Sequence, residues 1–187
     1  MNDKIKSPEY DYNLLNSCGS NTFISANVEI RRPALVSVGN NTAIDTGFYL
    51  TTQAEIGDYI HIAPYTTIIG GANGQLFMGH FSSIAAGSRI VCASDNHLGD
   101  GLPGPTIPKE FADSLKIEPV TFKMFANIGT NVVVLPGVTL AEGCVIGACS
   151  LVTKDTEPWT IYIGIPAKPF KIRKKDKMIE FAKRLGY

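Results

Sequence analysis

The chain lacks an excess of charge of either sign: its 187 residues carry 17 Lys plus Arg against 17 Asp plus Glu. A net basic surface is what draws a protein to nucleic acid or anionic membrane, so neither partner is implied. Charge is also sparse overall, 18% against roughly 25% in ordinary soluble domains. Long apolar runs are missing too. One long uncharged stretch, residues 124–141, is interrupted by Gly129, Pro136 and Gly137 and makes a poor membrane helix. The opening MNDKIKSPEYDYN has no apolar segment of the signal-peptide kind, so the expected compartment is the cytoplasm. Cysteine is scarce: Cys18, Cys92, Cys144 and Cys149 fall at no metal-binding spacing and read as reduced thiols. What the chain has in quantity is glycine (18), proline (11) and hydrophobic residues (44%). That composition excludes disorder and implies one domain with a large core and many turns.

A six-residue period runs through the chain. Stepping by six from Val38 gives Ile44, Leu50, Ile56, Ile62 and Ile68; stepping from Phe122 gives Ile128, Val134, Leu140, Ile146 and Val152. Large aliphatics and Phe are about 30% of the residues, so six in register arise by chance roughly once per thousand starting points. The position four after each is usually small, as at Thr42, Ala54, Thr66, Ser82, Ser88 and Cys144, with Phe48 and Ile60 the exceptions. Six fits neither the helical period of 3.6 nor the strand period of 2. It fits short strands and tight corners wound into a triangular coil, three steps or 18 residues per turn, about six coils stacked about 4.8 Å apart. A β-sandwich has no reason to hold a six-residue frame through its corners. The frame breaks at Arg31–Ser37, at Gly70–Phe77 and, most widely, at Cys92–Thr121. Insertions in a solenoid project from one face and often carry the site. The expected organisation is a single domain: a cap over residues 1–20, coils over 21–172 with a loop at 92–121, and a short helix within 173–187.

This repeat resembles that of the hexapeptide-repeat acyltransferases, over roughly residues 20–172. The resemblance implies an all-β, left-handed parallel β-helix, acetyl-coenzyme A as co-substrate, and a homotrimer with its active sites between subunits. The handedness comes only from the resemblance, since parallel crossovers are normally right-handed.

Acyl transfer to a hydroxyl needs a base titrating near neutrality, and the chain offers three histidines, His61, His80 and His97. His97 stands at the mouth of the longest insertion in CASDNHLGDG, a string similar to the catalytic-histidine segment of the xenobiotic acetyltransferases and to that of the galactoside and maltose acetyltransferases. The resemblance makes His97 the general base. Asp95, two residues earlier, would orient its ring or contact a sugar hydroxyl. His61 precedes the inward Ile62, so it faces outward, where it could touch the acceptor. His80 falls at a corner.

The stretch ANIGTNVVVLPGVTLAEGCVIGACSLVTKD resembles the family's last coils, where the coenzyme's arm lies between subunits. By position Thr130 contacts the pantetheine arm, Ala148 bonds it through the backbone, and Thr153 with Lys154 lies near the nucleotide. In EPWTIYIGIPAKPFK the segment Gly164–Lys168 matches the family's closing motif, which brings Lys168 and Lys171 to the phosphates. Six basic residues, Lys154, Lys168, Lys171, Arg173, Lys174 and Lys175, concentrate at this end, as a polyanionic ligand would require. Where the family often has a stacking Trp, this chain has Asn127. Cys144 occupies a small interior position and is read as core rather than nucleophile. With no activated nucleophile evident, direct transfer to the acceptor is expected.

The loop and the closing motif look most like bacterial sugar acetyltransferases of surface-polysaccharide and O-antigen synthesis, which implies a sugar or nucleotide-sugar acceptor acetylated on a hydroxyl or amino group. An antibiotic acceptor and a non-catalytic scaffold are the alternatives. A zinc hydrase on the same fold is disfavoured, because the histidine gaps of 19 and 17 do not build a closed three-histidine site; no metal is expected.

Overall fold

The computed structural model describes residues 8–187, so the first seven residues of the expected cap lie outside the described residues. Short strands wind into a three-faced prism. The first face stacks Ser17–Cys18, Val36–Val38, Gln53–Ile56, Gln75–Met78, Val120–Phe122 and Thr139–Leu140, all parallel. The second stacks Phe23–Ile24, Ala43–Ile44, His61–Ile62, Ser83–Ile84, Asn127–Ile128, Val145–Ile146 and Thr160–Ile163. The third stacks Glu29–Ile30, Tyr49–Leu50, Thr67–Ile69, Arg89–Val91, Val133–Val134 and Leu151–Val152. Six coils are thus complete and a seventh is begun. The first coil opens at Ser17, so the cap is shorter than residues 1–20.

The six-residue frame is the core seen along the prism axis. On the second face Ile24, Ile44, Ile62, Ile84, Ile128 and Ile146 stack in one column and Tyr162 closes it, all buried. The small positions lie inside the corners, where Thr42 donates to the Gly57 carbonyl (3.1 Å) and Ser88 to that of Gly129 (3.0 Å), while the buried Ser82 hydroxyl has no partner among the described residues. A buried hydroxyl left without such a partner would cost about 1–3 kcal/mol. Phe48 and Ile60, the exceptions in the sequence, fill the same interior positions and are equally buried.

The corner between the first and second faces turns each time through a left-handed residue: Asn21, Asn41, Tyr59, Phe81, Phe125, Gly143 and Trp159 all have positive φ. That conformation costs an L-residue about 1–2 kcal/mol. Here the residues repay it by stacking. Asn21 donates to Asn41 (2.7 Å), and above them the rings of Tyr59, Phe81, Phe125 and Trp159 follow one another at 5.0, 5.4 and 5.6 Å between centroids. Gly143 interrupts the ladder because a Cβ there would overlap the Trp159 ring.

The C-terminal helix, Asp176–Arg184, lies along this ladder, with Met178, Ile179 and Ala182 against Phe125 and Trp159. Within the chain it covers a corner of the prism. The last open sheet edge is closed by Lys168–Ile172, which pairs antiparallel with Thr160–Ile163. Tyr187 anchors the chain after the helix, donating to Asp58 Oδ2 (2.5 Å) and packing on His80 and Phe81. The largest insertion is also shorter and more ordered than residues 92–121: Ala93–Asp95 pairs antiparallel with Leu115–Ile117, and Val120 is already back in the first face.

Two predictions follow from the corner ladder. Gly143 and Gly71 both have positive φ, but a Cβ at Gly71 meets nothing within 4 Å. Gly71→Ala is expected to cost about 1 kcal/mol, and Gly143→Ala a further ~1–3 kcal/mol from overlap with Trp159, both read by urea unfolding. The second concerns Tyr187, whose phenol is pushed up to about 12 chiefly by its hydrogen bond to Asp58. A raised folded pKa gives stability that is complete below the ordinary tyrosine value of about 10 and is lost as pH rises beyond it. The thermal midpoint should therefore fall between about pH 10 and 12 more steeply in the wild type than in Tyr187→Phe.

Candidate active site beneath the long loop

The loop leaves the third face after Arg89–Val91, and its first strand is held by the hairpin with Leu115–Ile117. Its far end is tied by Asp113, which is 6% exposed. A carboxylate so enclosed needs strong donors, and it has them: the backbone N–H groups of His97 (2.7 Å) and Ser114 (2.8 Å). Asn96 adds a bond to the Ser114 hydroxyl (2.7 Å). The His97 backbone is left-handed, φ +56°, which is what lets the chain turn there.

Between the loop and the third face lies a pocket of about 490 Å³. Tyr49, Thr51 and Ile69 form its wall on the prism side, and Ala93, Pro105, Ile107 and Leu115 its wall on the loop side. Two carboxylates line it, Asp95 and Asp113. Asp113 is consumed by the loop; the Asp95 carboxylate has no hydrogen-bond partner among the described residues. A cleft of about 550 Å³ on the first face, along Ser37, Glu55, Phe77 and Thr121, is slightly larger but contains none of the residues singled out from sequence. The loop pocket is the better candidate because apolar walls around one free carboxylate can both enclose and orient a ligand.

The sequence-predicted residues do not all meet. Asp95 lines the pocket; His97 does not, and its exposed ring makes no hydrogen bond within the described residues. His61 is exposed on the second face, its Nε2 2.8 Å from Asp45 Oδ2. His80 Nδ1 accepts the Asp58 N–H (2.9 Å), and Tyr187 covers its ring. Thr130 and Ala148 stand one above the other at the exposed corner between the second and third faces, linked through the Cys149 N–H and the Thr130 carbonyl (2.9 Å). The Gly164–Ala167 turn continues that edge, and Lys168 follows it into the antiparallel strand. Thr153 and Lys154 are exposed at the next corner, across the third face, while Lys171 lies farther along the strand opposite Ile161. Of the basic cluster, Arg173 is engaged elsewhere: one nitrogen donates to the carbonyls of Phe125 (3.0 Å) and Gly143 (3.1 Å), and burial lowers its pKa. Asn127, in place of the stacking Trp, donates to Ser83 Oγ (2.8 Å). Trp159 belongs to the aromatic ladder.

The cysteines divide by environment. Cys92 and Cys144 are buried, and burial pushes the Cys92 thiol up to about 11 and raises that of Cys144. Cys149 is exposed beside Ala148. Thiolate reactivity follows exposure and pKa. Alkylation at about pH 8 should modify Cys149 at least ~10²-fold faster than Cys92 or Cys144; peptide mapping that finds Cys144 modified in the folded protein would contradict its place in the core.

The stacked coils, the hexapeptide frame and the loop pocket together define a hexapeptide-repeat acyltransferase, and the chain belongs to that family. It is 35% identical over 168 residues to the dTDP-4-amino-4,6-dideoxy-D-glucose acyltransferase of Escherichia coli, covering 88% of this chain and 85% of that one. It is 26% identical over 156 residues to the putative lipopolysaccharide biosynthesis O-acetyl transferase WbbJ of Escherichia coli, covering 76% and 74%. A solved structure of a variant of AntD, an N-acyltransferase from Bacillus cereus, in complex with dTDP-4-amino-4,6-dideoxyglucose and coenzyme A, superposes with a TM-score of 0.89 at 32% identity, covering 96% of this chain and 97% of that one. No family model matches the chain.

Proposed function

We propose that this enzyme transfers an acyl group, acetyl in the simplest case, from a coenzyme A thioester to the amino group of a nucleotide-linked deoxyamino sugar. The observation that carries the choice of an amine over a hydroxyl is the pocket beneath the loop. Its walls suit the apolar faces of a deoxy sugar, and its unpartnered Asp95 carboxylate suits an amino group. The relatives that act on or bind dTDP-4-amino-4,6-dideoxyglucose point the same way.

The coenzyme's arm would run along the edge formed by Thr130, Ala148 and the Gly164 turn. Lys168 and Lys171 would stand near its phosphates, and Thr153 with Lys154 would meet it from the adjoining corner. His97 would then serve the loop's shape through its backbone bond to Asp113. The large apolar side chains left exposed, Tyr65, Ile165 and Leu98 among them, support a homotrimer in which copies cover one another. Acyl-coenzyme A and a nucleotide sugar as substrates favour the cytoplasm, and the WbbJ relative favours a place in surface-polysaccharide synthesis.

A thiol-release assay with acetyl-coenzyme A and a panel of nucleotide-linked amino and hydroxy sugars tests the reading. Transfer to the amino sugars is expected, with the neutral hydroxy analogues at background. Asp95→Asn should lower kcat/KM for the acceptor by about 10²-fold, the loss of a charge-assisted bond, with the KM for the thioester unchanged. His97→Ala should stay within about threefold of wild type. Equal turnover of the hydroxy analogues, or full activity in Asp95→Asn, would remove the amine from the reading.

A further inference from the structure

Resting on that reading, we infer that Arg31 and Arg32 bind the diphosphate of the nucleotide-linked acceptor, at the edge of the loop pocket nearest the first coil. The three breaks in the six-residue frame all fall at one corner, between the third face and the first. Arg31–Ser37 follows Glu29–Ile30, Gly70–Phe77 follows Thr67–Ile69, and the long loop follows Arg89–Val91. Insertions that share one side of a solenoid often build one binding surface. The second and third breaks already line the pocket, through Gly70 and Gly71 and through the loop. The first break brings two adjacent guanidinium groups to the same corner before the chain turns into Pro33–Leu35.

Strand register sets these arginines against the pocket. Glu29–Ile30 pairs with Tyr49–Leu50, which pairs in turn with Thr67–Ile68, so Arg31, Thr51 and Ile69 form one outward column. Thr51 and Ile69 line the pocket, and Arg31 continues their column one coil farther, about 4.8 Å on. The Arg31 guanidinium lies 5.3 Å from the ring centroid of Tyr49, another wall of the pocket. Arg32 donates through Nη1 to the Thr51 carbonyl (2.6 Å). The Thr51 hydroxyl accepts from the Gly70 and Gly71 N–H groups (3.1 and 3.3 Å), which leaves its own proton for a ligand. Glu29 takes only the Nε–H of Arg31 (2.9 Å). Both terminal nitrogens of Arg31 and the second one of Arg32 have no hydrogen-bond partner among the described residues, and the Arg31 side chain is 56% exposed.

The column passes from an apolar side chain, Ile69, through a hydroxyl, Thr51, to a cation, Arg31. A nucleotide-linked deoxyamino sugar passes through the same order, from the apolar face of its ring through the glycosidic oxygen to the diphosphate. The pocket itself is lined by two carboxylates and by no cation, so it attracts an amino group and repels a phosphate. Opposite charges at the two ends therefore fix the acceptor in one direction, its amino group toward Asp95 and its diphosphate toward the arginines. The planar guanidinium offers parallel N–H groups that match two phosphate oxygens. Resting on Tyr49 and tied to the Thr51 carbonyl, the two side chains are partly ordered before the ligand arrives, which lowers the entropy lost on binding. The coenzyme carries a diphosphate as well, but Lys168 and Lys171 lie on the last strand of the stack and the arginines on the first coil.

Titration calorimetry with dTDP alone, and separately with coenzyme A, tests this. Arg31→Gln should weaken dTDP binding about 10-fold and Arg31→Gln/Arg32→Gln about 10²-fold, the loss of charge-assisted bonds. Coenzyme A binding and circular dichroism should stay as in the wild type. Arg31→Lys, which keeps the charge without the fork, should fall between wild type and Arg31→Gln. Raising the salt concentration should weaken dTDP binding more in the wild type than in the double variant. In turnover, kcat/KM for the nucleotide-linked amino sugar should drop in step with dTDP affinity, with the KM for acetyl-coenzyme A unchanged. A double variant that binds dTDP within about twofold of wild type overturns the proposal, as does a wild type that binds no dTDP. Weakening that appears for coenzyme A instead assigns the arginines to the thioester and overturns it too. A wild type that binds dTDP through the arginines yet transfers no acyl group to any amino sugar overturns the functional reading alone.

Discussion

Parallel, in-register stacking requires every coil to present its strands at the same heights as the coil below, and the rest of this molecule depends on that requirement. Each strand is only two to five residues long and would be worthless alone. Its hydrogen bonds run to the coils above and below, so a residue inserted within a strand would shift every inward side chain to the outer face. Extra chain can therefore leave only at the corners. All three breaks in the six-residue frame obey this, and the pocket beneath the loop exists because the longest of them falls between the third face and the first.

The corners also decide which residues the prism tolerates. A left-handed residue in each coil would accumulate a large penalty if every occupant were paid for separately. Asparagine adopts this conformation most readily and uses its amide to link to the coil above. The aromatic residues have no such ease, yet their rings fall in line and bury one another, and the C-terminal helix covers the outside of that line. Helix, ladder and corner thus form one unit: a helix of nine residues is too short to persist by itself, and the ring faces it covers would otherwise be wet.

Much of this is legible in the sequence, for a physical reason. Stacked coils repeat one environment, and a repeated environment imposes a repeated residue type, so Ile44 with Ile62, and Ile128 with Ile146, announce their column at an 18-residue spacing on either side of the insertions. The aromatic ladder leaves the same kind of trace, since Tyr59, Phe81 and Phe125 each come three residues after an inward side chain of the first face. It escapes a reading confined to the interior positions. Asp95 and His97 are different. The loop has no frame, and which of two residues so close together faces the pocket is set by a hairpin and by the buried Asp113, neither of which has a periodic signature. The pairing of His61 with Asp45 is hidden for a related reason: sixteen residues separate them, and only the winding makes them neighbours.

A flat wall cannot enclose a small molecule, and this sets the terms on which a prism becomes an enzyme. Its faces offer rows of side chains spaced one coil apart, well suited to an extended ligand such as a thioester arm, but open to water on one side. Enclosure has to come from a part that stands away from the wall. The loop supplies one side, held together by the bonds of Asp113 to the His97 and Ser114 N–H groups. Away from that pocket Tyr65, and on the loop itself Leu98 and Phe111, stay exposed. Polar side chains set at separate corners, Asp95 beneath the loop and His61 with Asp45 beyond the second face, are what a wall of this kind presents when its strands are only a few residues long.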